Sequence, residues 1–106
     1  MFKVMFVLYE RAGIDRGEAL RYWRDTHGPL VAKFPGLRRY SQIHAVGAPQ
    51  GNTAFLGFAA LEFDDADAFE KSMASPECPA ALADTINFAD PDRLEAVFVE
   101  HLPMVG

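Results

Sequence analysis

Phe2-Lys3-Val4-Met5-Phe6-Val7-Leu8-Tyr9 carries two apolar series at once. Phe2, Val4, Phe6 and Leu8 alternate with Lys3, Met5, Val7 and Tyr9. Successive side chains of a strand point to opposite faces, so this stretch predicts a strand that is covered on both sides. Phe55–Phe63 has the same character, with Phe55, Ala59, Leu61 and Phe63 set against Leu56, Phe58 and Ala60. These two strands govern how everything around them can be arranged.

Between them, Arg11–Ile14 is a loop, and Asp15 followed by Glu18 has the spacing of a capping box. A helix should run from there to about Phe34, where Pro35-Gly36 stops it. Leu37–Val46 is expected to be the second strand. It places Leu37, Arg39, Ser41, Ile43 and Ala45 on one face and Arg38, Tyr40, Gln42, His44 and Val46 on the other. Gly47–Asn52 is rich in turn residues. After Phe63, Asp64 or Asp65 caps a second helix carrying Phe69 and Met73, and Ser75–Pro79 interrupts it. Ala80–Phe88 is a further helical segment, and Leu94–Leu102 is the fourth strand. The order β-α-β-β-α-β predicts an α+β, ferredoxin-like fold: a four-stranded antiparallel sheet with its helices on one face. No linker or repeat divides residues 1–106, so we read one domain. Two helical layers cannot cover both faces of the sheet. The economical cover for the second face is another copy of the chain, so we expect a homodimer with C2 symmetry and its sheets face to face.

Composition narrows the functional classes. The chain has 106 residues, 50% of them hydrophobic and 24% charged, which fits a globular domain. No run approaches the roughly 20 apolar residues that span a bilayer, so no membrane role is expected. The apolar run Met1–Tyr9 has no small-residue cleavage site after it, and a cytoplasmic location is the expectation. A single cysteine, Cys78, excludes an intrachain disulfide and a cysteine-rich zinc site. A net charge of −5 argues against nucleic acid as a partner, because phosphate backbones call for a basic face.

Leu20-Arg21-Tyr22-Trp23-Arg24-Asp25-Thr26-His27-Gly28-Pro29-Leu30-Val31 is the most informative part for function. At about 100° per residue, Leu20, Trp23, His27, Leu30, Val31 and Phe34 share one stripe. His27 therefore faces inward among apolar side chains. With an ordinary pKa of about 6.5, it could act there as acid or base. It could also be a core histidine bonded to a backbone carbonyl. Pro29 offers no N–H to the carbonyl of Asp25, and Gly28 has no side chain, so the helix should kink or loosen beside His27.

Other residues leave alternatives open. Tyr40, Gln42 and His44 share a strand face and could bond a substrate oxygen, face solvent or line an interface. Arg39 lies on the opposite face and is the better clamp for an anion if the helices cover that side. His27, His44 and His101 come from three elements without the spacing of a metal site, so no metal is expected. Asp25 lies two residues from His27 and should point elsewhere. Cys78 reads as a free structural thiol in a loop. No phosphate-binding glycine loop or nucleophile elbow is present, and no cofactor is implied.

The run Tyr22-Trp23-Arg24-Asp25-Thr26-His27-Gly28-Pro29-Leu30-Val31, continued by Phe34-Pro35-Gly36-Leu37-Arg38-Arg39-Tyr40, resembles the signature of the EthD family. Leu61–Phe69 and Phe88-Ala89-Asp90 add to the resemblance, which extends over nearly the whole chain. It implies a dimeric α+β barrel of ferredoxin-like subunits, in which His27 corresponds to a pocket histidine. Relatives of that kind take part in ether degradation, lactone isomerisation and secondary metabolism. The resemblance implies proton transfer on a carbonyl, lactone or phenolic substrate held in an apolar cavity.

Together these readings predict a small, cofactor-independent enzyme of isomerase or lyase type, a dehydratase or cyclase. His27 would be catalytic. Tyr40 or Arg39 would stabilise an oxyanion, and Trp23, His44, Phe6 and Phe58 would complete the substrate site. A cofactor-free monooxygenase of phenolic substrates and a non-catalytic binding or accessory protein for a hydrophobic metabolite are the alternatives.

Overall fold

A computed structural model describes residues 1–106. Strand β1 spans Phe2–Tyr9 and β3 spans Phe55–Phe63, the bounds expected from their alternation. Strand β2 is Arg39–His44 and β4 is Glu95–Val99. Both are shorter than expected, although Arg38 N–H still donates to Glu62 O and Ala45 N–H to Leu56 O beyond the ends of β2. The sheet order is β2-β3-β1-β4, and every neighbouring pair is antiparallel.

Asp15 caps the first helix, accepting from Glu18 N–H, so the capping position is the one the spacing indicated. Helix α1 covers Arg16–Tyr22 and α2 covers Gly28–Val31. Between them Trp23–His27 forms a π-helical turn, closed by Gly28 N–H to Trp23 O. This is the loosening expected beside Pro29. π turns occur mostly as single bulges inside helices, often at functional sites.

Asp65, not Asp64, caps helix α3 (Ala66–Met73), accepting from Ala68 N–H. The break that follows is shorter than the prolines suggested. Helix α4 (Glu77–Asp84) begins before Pro79, which sits in its first turn, where a missing N–H costs nothing. Cys78 therefore lies on a helix, buried, and not in a loop. A 3-10 turn, Thr85–Asn87, extends α4.

Register divides the sheet into two faces. Tyr40–Leu61–Val4–Phe98 and Gln42–Ala59–Phe6–Ala96 are cross-strand rows under the helices. Val4, Leu56, Leu61, Phe63, Trp23 and Phe88 are fully buried in that layer. Each such side chain contributes roughly 1.5–3 kcal/mol by leaving water. The opposite face carries Arg39–Glu62–Lys3–Val99, Ser41–Ala60–Met5–Val97 and Ile43–Phe58–Val7–Glu95, with no helix over them.

A bulge changes one expected assignment. The β1–β3 register slips between Leu8 and Tyr9, so Leu56 has no partner on β1. Leu56 joins the covered core, whereas Phe55 packs edge-on against Tyr9 and Phe58 on the bare side. Simple alternation had placed Phe55 with Ala59.

Candidate active site

The π turn sets the geometry of the candidate site. It places Trp23 and His27, four residues apart, against the same cavity. Phe6, Leu8, Ala59 and Leu61 of the sheet form its floor, and Val31 and Phe34 continue the wall. Cys78, Ala81, Leu82 and Thr85 of α4 and its extension close the other side, with Leu94 at the edge. The small side chain of Ala59 lets the floor sink between bulkier neighbours. Of the 13 residues that line the cleft, 11 are hydrophobic.

His27 is almost the only polar group facing this space. Its Nδ1 lies 2.9 Å from Asp84 Oδ2. Asp84 is the last residue of α4, and it also accepts from Tyr22 Oη at 2.6 Å and Asn87 Nδ2 at 2.9 Å. Burial pushes the Asp84 carboxyl up, but the hydrogen bonds from Tyr22, Asn87 and His27 outweigh it and hold it below the usual carboxylate range. Asp84 is therefore an anion and requires a donor, which assigns the proton of neutral His27 to Nδ1. Burial lowers the His27 pKa, and Asp84 offsets this only in part. At neutral pH the imidazole is uncharged, with Nε2 free of any partner in the chain. An unprotonated imidazole oriented by a carboxylate has the arrangement that general-base chemistry requires. Tyr22 is raised above its ordinary pKa, first by its bond to Asp84, and so stays a donor.

A second hydrogen-bonded group braces the π turn from β2. Gln42 Nε2 donates to Trp23 O at 2.9 Å and to Tyr40 Oη at 2.8 Å, while Gln42 Oε1 meets His44 Nε2 at 2.8 Å. The His44 ring stacks on the Trp23 indole, 4.5 Å between centroids. Trp23 O thus accepts from both Gly28 N–H and Gln42. Gly28 makes room for this, since a Cβ there would stand 2.9 Å from Gln42 Nε2.

The structure brings together three of the residues singled out from sequence, His27, Trp23 and Phe6, at one cavity. Tyr40 and His44 lie on the helix-covered face but belong to the brace on β2, outside the cavity lining. Burial raises the Tyr40 pKa and lowers that of His44. Arg39 and Phe58 are corrections. Both sit on the bare face, paired across the sheet with Glu62 and with Ile43 and Val7, so neither reaches His27. His101 lies beside Lys3 and Glu62 at one end of that face, far from the other histidines. Asp25 points away and pairs with Arg24, as its spacing indicated. Asp84 and Tyr22 were missed. Asp84 stands 57 residues from its partner on another helix, and no local pattern marks it. Tyr22 lies off the inward stripe and reaches the site only through Asp84.

The chain is similar to a crystal structure of an ethyl tert-butyl ether D (EthD) family protein from Bacillus halodurans C-125. The two share 28% identity over 96% of this chain and 100% of that one, with a TM-score of 0.78. A dimeric ferredoxin-like protein of unknown function from Thermobifida fusca YX is 20% identical, over 92% of this chain and 88% of that one, with a TM-score of 0.69. HapK from Hahella chejuensis is 17% identical, over 100% and 96% of the two chains, with a TM-score of 0.66. No curated protein matches. The EthD domain model matches residues 11–92, which take in the π turn, the brace and Asp84, and the chain belongs to the EthD family.

Proposed function

We propose that this protein is a cofactor-independent acid–base enzyme of isomerase or lyase type, with His27 as general base and Asp84 as the group that orients it. One observation carries the reading: a neutral imidazole, held through Nδ1 by a buried-side carboxylate, turned toward an apolar cavity. In such a site, Nε2 takes a proton from a carbon next to a carbonyl or lactone, and Asp84 stabilises the imidazolium that forms. The apolar lining favours a small hydrophobic or aromatic substrate and keeps water from competing for the proton.

The functional unit in this reading is a homodimer joined through the bare sheet face. Ile43 and Val97 are 47% and 40% exposed there, beside Met5, Val7 and Phe58, which is a large apolar surface for an isolated chain. Sedimentation at micromolar concentration should show a folded dimer; a folded species near 11.7 kDa would remove this part of the proposal.

The test of the reaction uses hydrogen exchange. Cyclic ketones and lactones are incubated with the protein in deuterated water, and label at the carbon next to the carbonyl is followed by mass spectrometry. His27→Ala should slow enzyme-dependent exchange about 100-fold or more. Exchange that persists undiminished in His27→Ala would show that His27 is not the base, and continued ligand binding would then favour a carrier. Oxygen uptake during turnover would instead mark a cofactor-free monooxygenase.

A further inference from the structure

Two residues of the inner strands put charge on a sheet face that is otherwise apolar at its centre. Lys3 of β1 and Glu62 of β3 are cross-strand neighbours in the row Arg39–Glu62–Lys3–Val99. Both are partly buried in the single chain, and none of its ion pairs includes Lys3, Glu62 or Arg39. Arg39 and Glu95 lie on the edge strands and can keep their water when the face is covered. Lys3 and Glu62 lie on the inner strands, where a covering layer removes much of theirs. A charge that loses its water needs an opposite charge, so the covering layer must bring a carboxylate to Lys3 and a cation to Glu62.

A second copy of this chain supplies both. Two identical sheets packed face to face are related by a two-fold axis that lies between them and parallel to them. With the axis along the strands, β1 lies over the partner's β3, and each row faces itself in reverse order. Lys3 then meets the partner's Glu62, and Glu62 meets the partner's Lys3. In the next row Ala60 faces the partner's Met5, a small side chain against a long one. In the third, Phe58 faces the partner's Val7.

Other axes lose these matches. An axis across the strands exchanges the end rows, setting Glu62 on the partner's Phe58 and Lys3 on the partner's Val7. A diagonal axis brings Arg39 to the partner's Glu95, but it lays the row of Lys3 and Glu62 along the partner's β4, where neither finds an opposite charge. Sheet twist does not undo the first arrangement. Aligned sheets cross by about 30°, which shifts a residue two positions from the centre sideways by roughly 3.5 Å, less than the ~4.8 Å between strands. Lysine and glutamate are long enough to meet between faces roughly 10 Å apart.

We infer that a second copy docks on the bare face with the two-fold axis along the strands, and that two ion pairs between Lys3 and the partner's Glu62 fix this register. The inference rests on the homodimer reading and deepens it.

The test mixes two charge-reversed chains, Lys3→Glu and Glu62→Lys, one of them labelled with nitrogen-15, and weighs the dimers by native mass spectrometry. Each variant alone sets like charges together at both pairs, so its homodimer should weaken about 30-fold or more. The mixed dimer has opposite charges at both pairs. It should make up about 90% of the dimers, against about half for random pairing. Reversal also sets like charges side by side within each chain, because Lys3 and Glu62 are neighbours there. Lys3→Met mixed with Glu62→Met avoids this and should still favour the mixed dimer, at about 70%.

Random pairing in either mixture overturns the inference. So does a preference of the same size for the mixed dimer of Arg39→Glu with Glu95→Arg, which is the mark of the diagonal axis. A wild type that sediments as a folded monomer sinks the homodimer reading itself. Random pairing among stable dimers sinks only the axis, so the two fail separately.

Discussion

Gln42–Ala59–Phe6–Ala96 and Ser41–Ala60–Met5–Val97 are adjacent rows across the same four strands, on opposite faces. The first lies under the helices, and two of its residues floor the cavity. The second has nothing above it within the chain. Both are mostly apolar, so hydrophobicity does not distinguish them. The difference lies in the polar groups. On the covered face Tyr22 and His27 bond to Asp84, and Gln42 separately bonds to Trp23 O, Tyr40 and His44. On the bare face charge is confined to the ends, with Arg39, Glu62 and Lys3 at one and Glu95 toward the other. A fixed polar network in an apolar setting suits chemistry, and an apolar centre with a charged margin suits association.

Gly57→Ala attacks the covered face at its tightest point and should have the largest effect. Gly57 adopts φ +149°, and a Cβ there would stand 2.1 Å from Ile43 O and 2.9 Å from the Trp23 ring. Neither neighbour can move without disturbing the β2–β3 ladder or the indole. The variant should lose more than ~3 kcal/mol in urea unfolding, if it folds at all. A near-normal transition midpoint would mean that Trp23 is not locked against β3, and the covered face would lose its fixed wall.

Ile43→Asp tests the other face. The side chain is half exposed on the row with Phe58, so the charge can stay hydrated in a monomer but not in a buried interface. Monomer stability should change little, while dimerisation should weaken about 100-fold, roughly 2.7 kcal/mol. If sedimentation shows the dimer intact, the bare face is not the interface and the contrast between the two faces fails.

Much of this contrast was legible in the sequence. Alternation in Phe2–Tyr9 and Phe55–Phe63 marked two apolar faces, and Gly28-Pro29 marked the loosened turn beside His27. What was not legible has physical causes. Period two cannot anticipate a bulge, so Phe55 was assigned to the wrong face. A strand pattern also does not say which face its helices will cover, and that left Arg39 and Phe58 as candidates beside Tyr40 and His44. Helical periodicity finds neighbours one turn apart, but Asp84 meets His27 through the packing of α4 across the sheet. Only the assembled layers bring the carboxylate to the imidazole.

Asp84→Asn gives the most direct reading of the covered face. Wild-type His27 has a folded pKa below its ordinary 6.5, because burial outweighs the Asp84 carboxylate. As pH falls below about 6.5, the unfolded chain takes up this proton before the folded one does, so stability declines toward the folded pKa. Asp84, itself held below its ordinary 3.8, contributes stability that is lost only as pH falls further, through its own folded value. Asparagine removes the anion, and the His27 pKa should drop again because its upward pull is gone. The acid loss due to His27 then becomes deeper, and the later loss due to Asp84 disappears. Near pH 7 the variant should be less stable by about 1–2 kcal/mol, the value of a hydrogen bond to a partly exposed charge. Carbon–proton NMR of the imidazole against pH measures the shift, and urea unfolding at several pH values measures the stability. A His27 pKa that rises in Asp84→Asn would mean that Asp84 does not hold the Nδ1 proton. His27 would then be a core histidine with a nearby carboxylate, and the covered face would have no better claim to chemistry than the bare one.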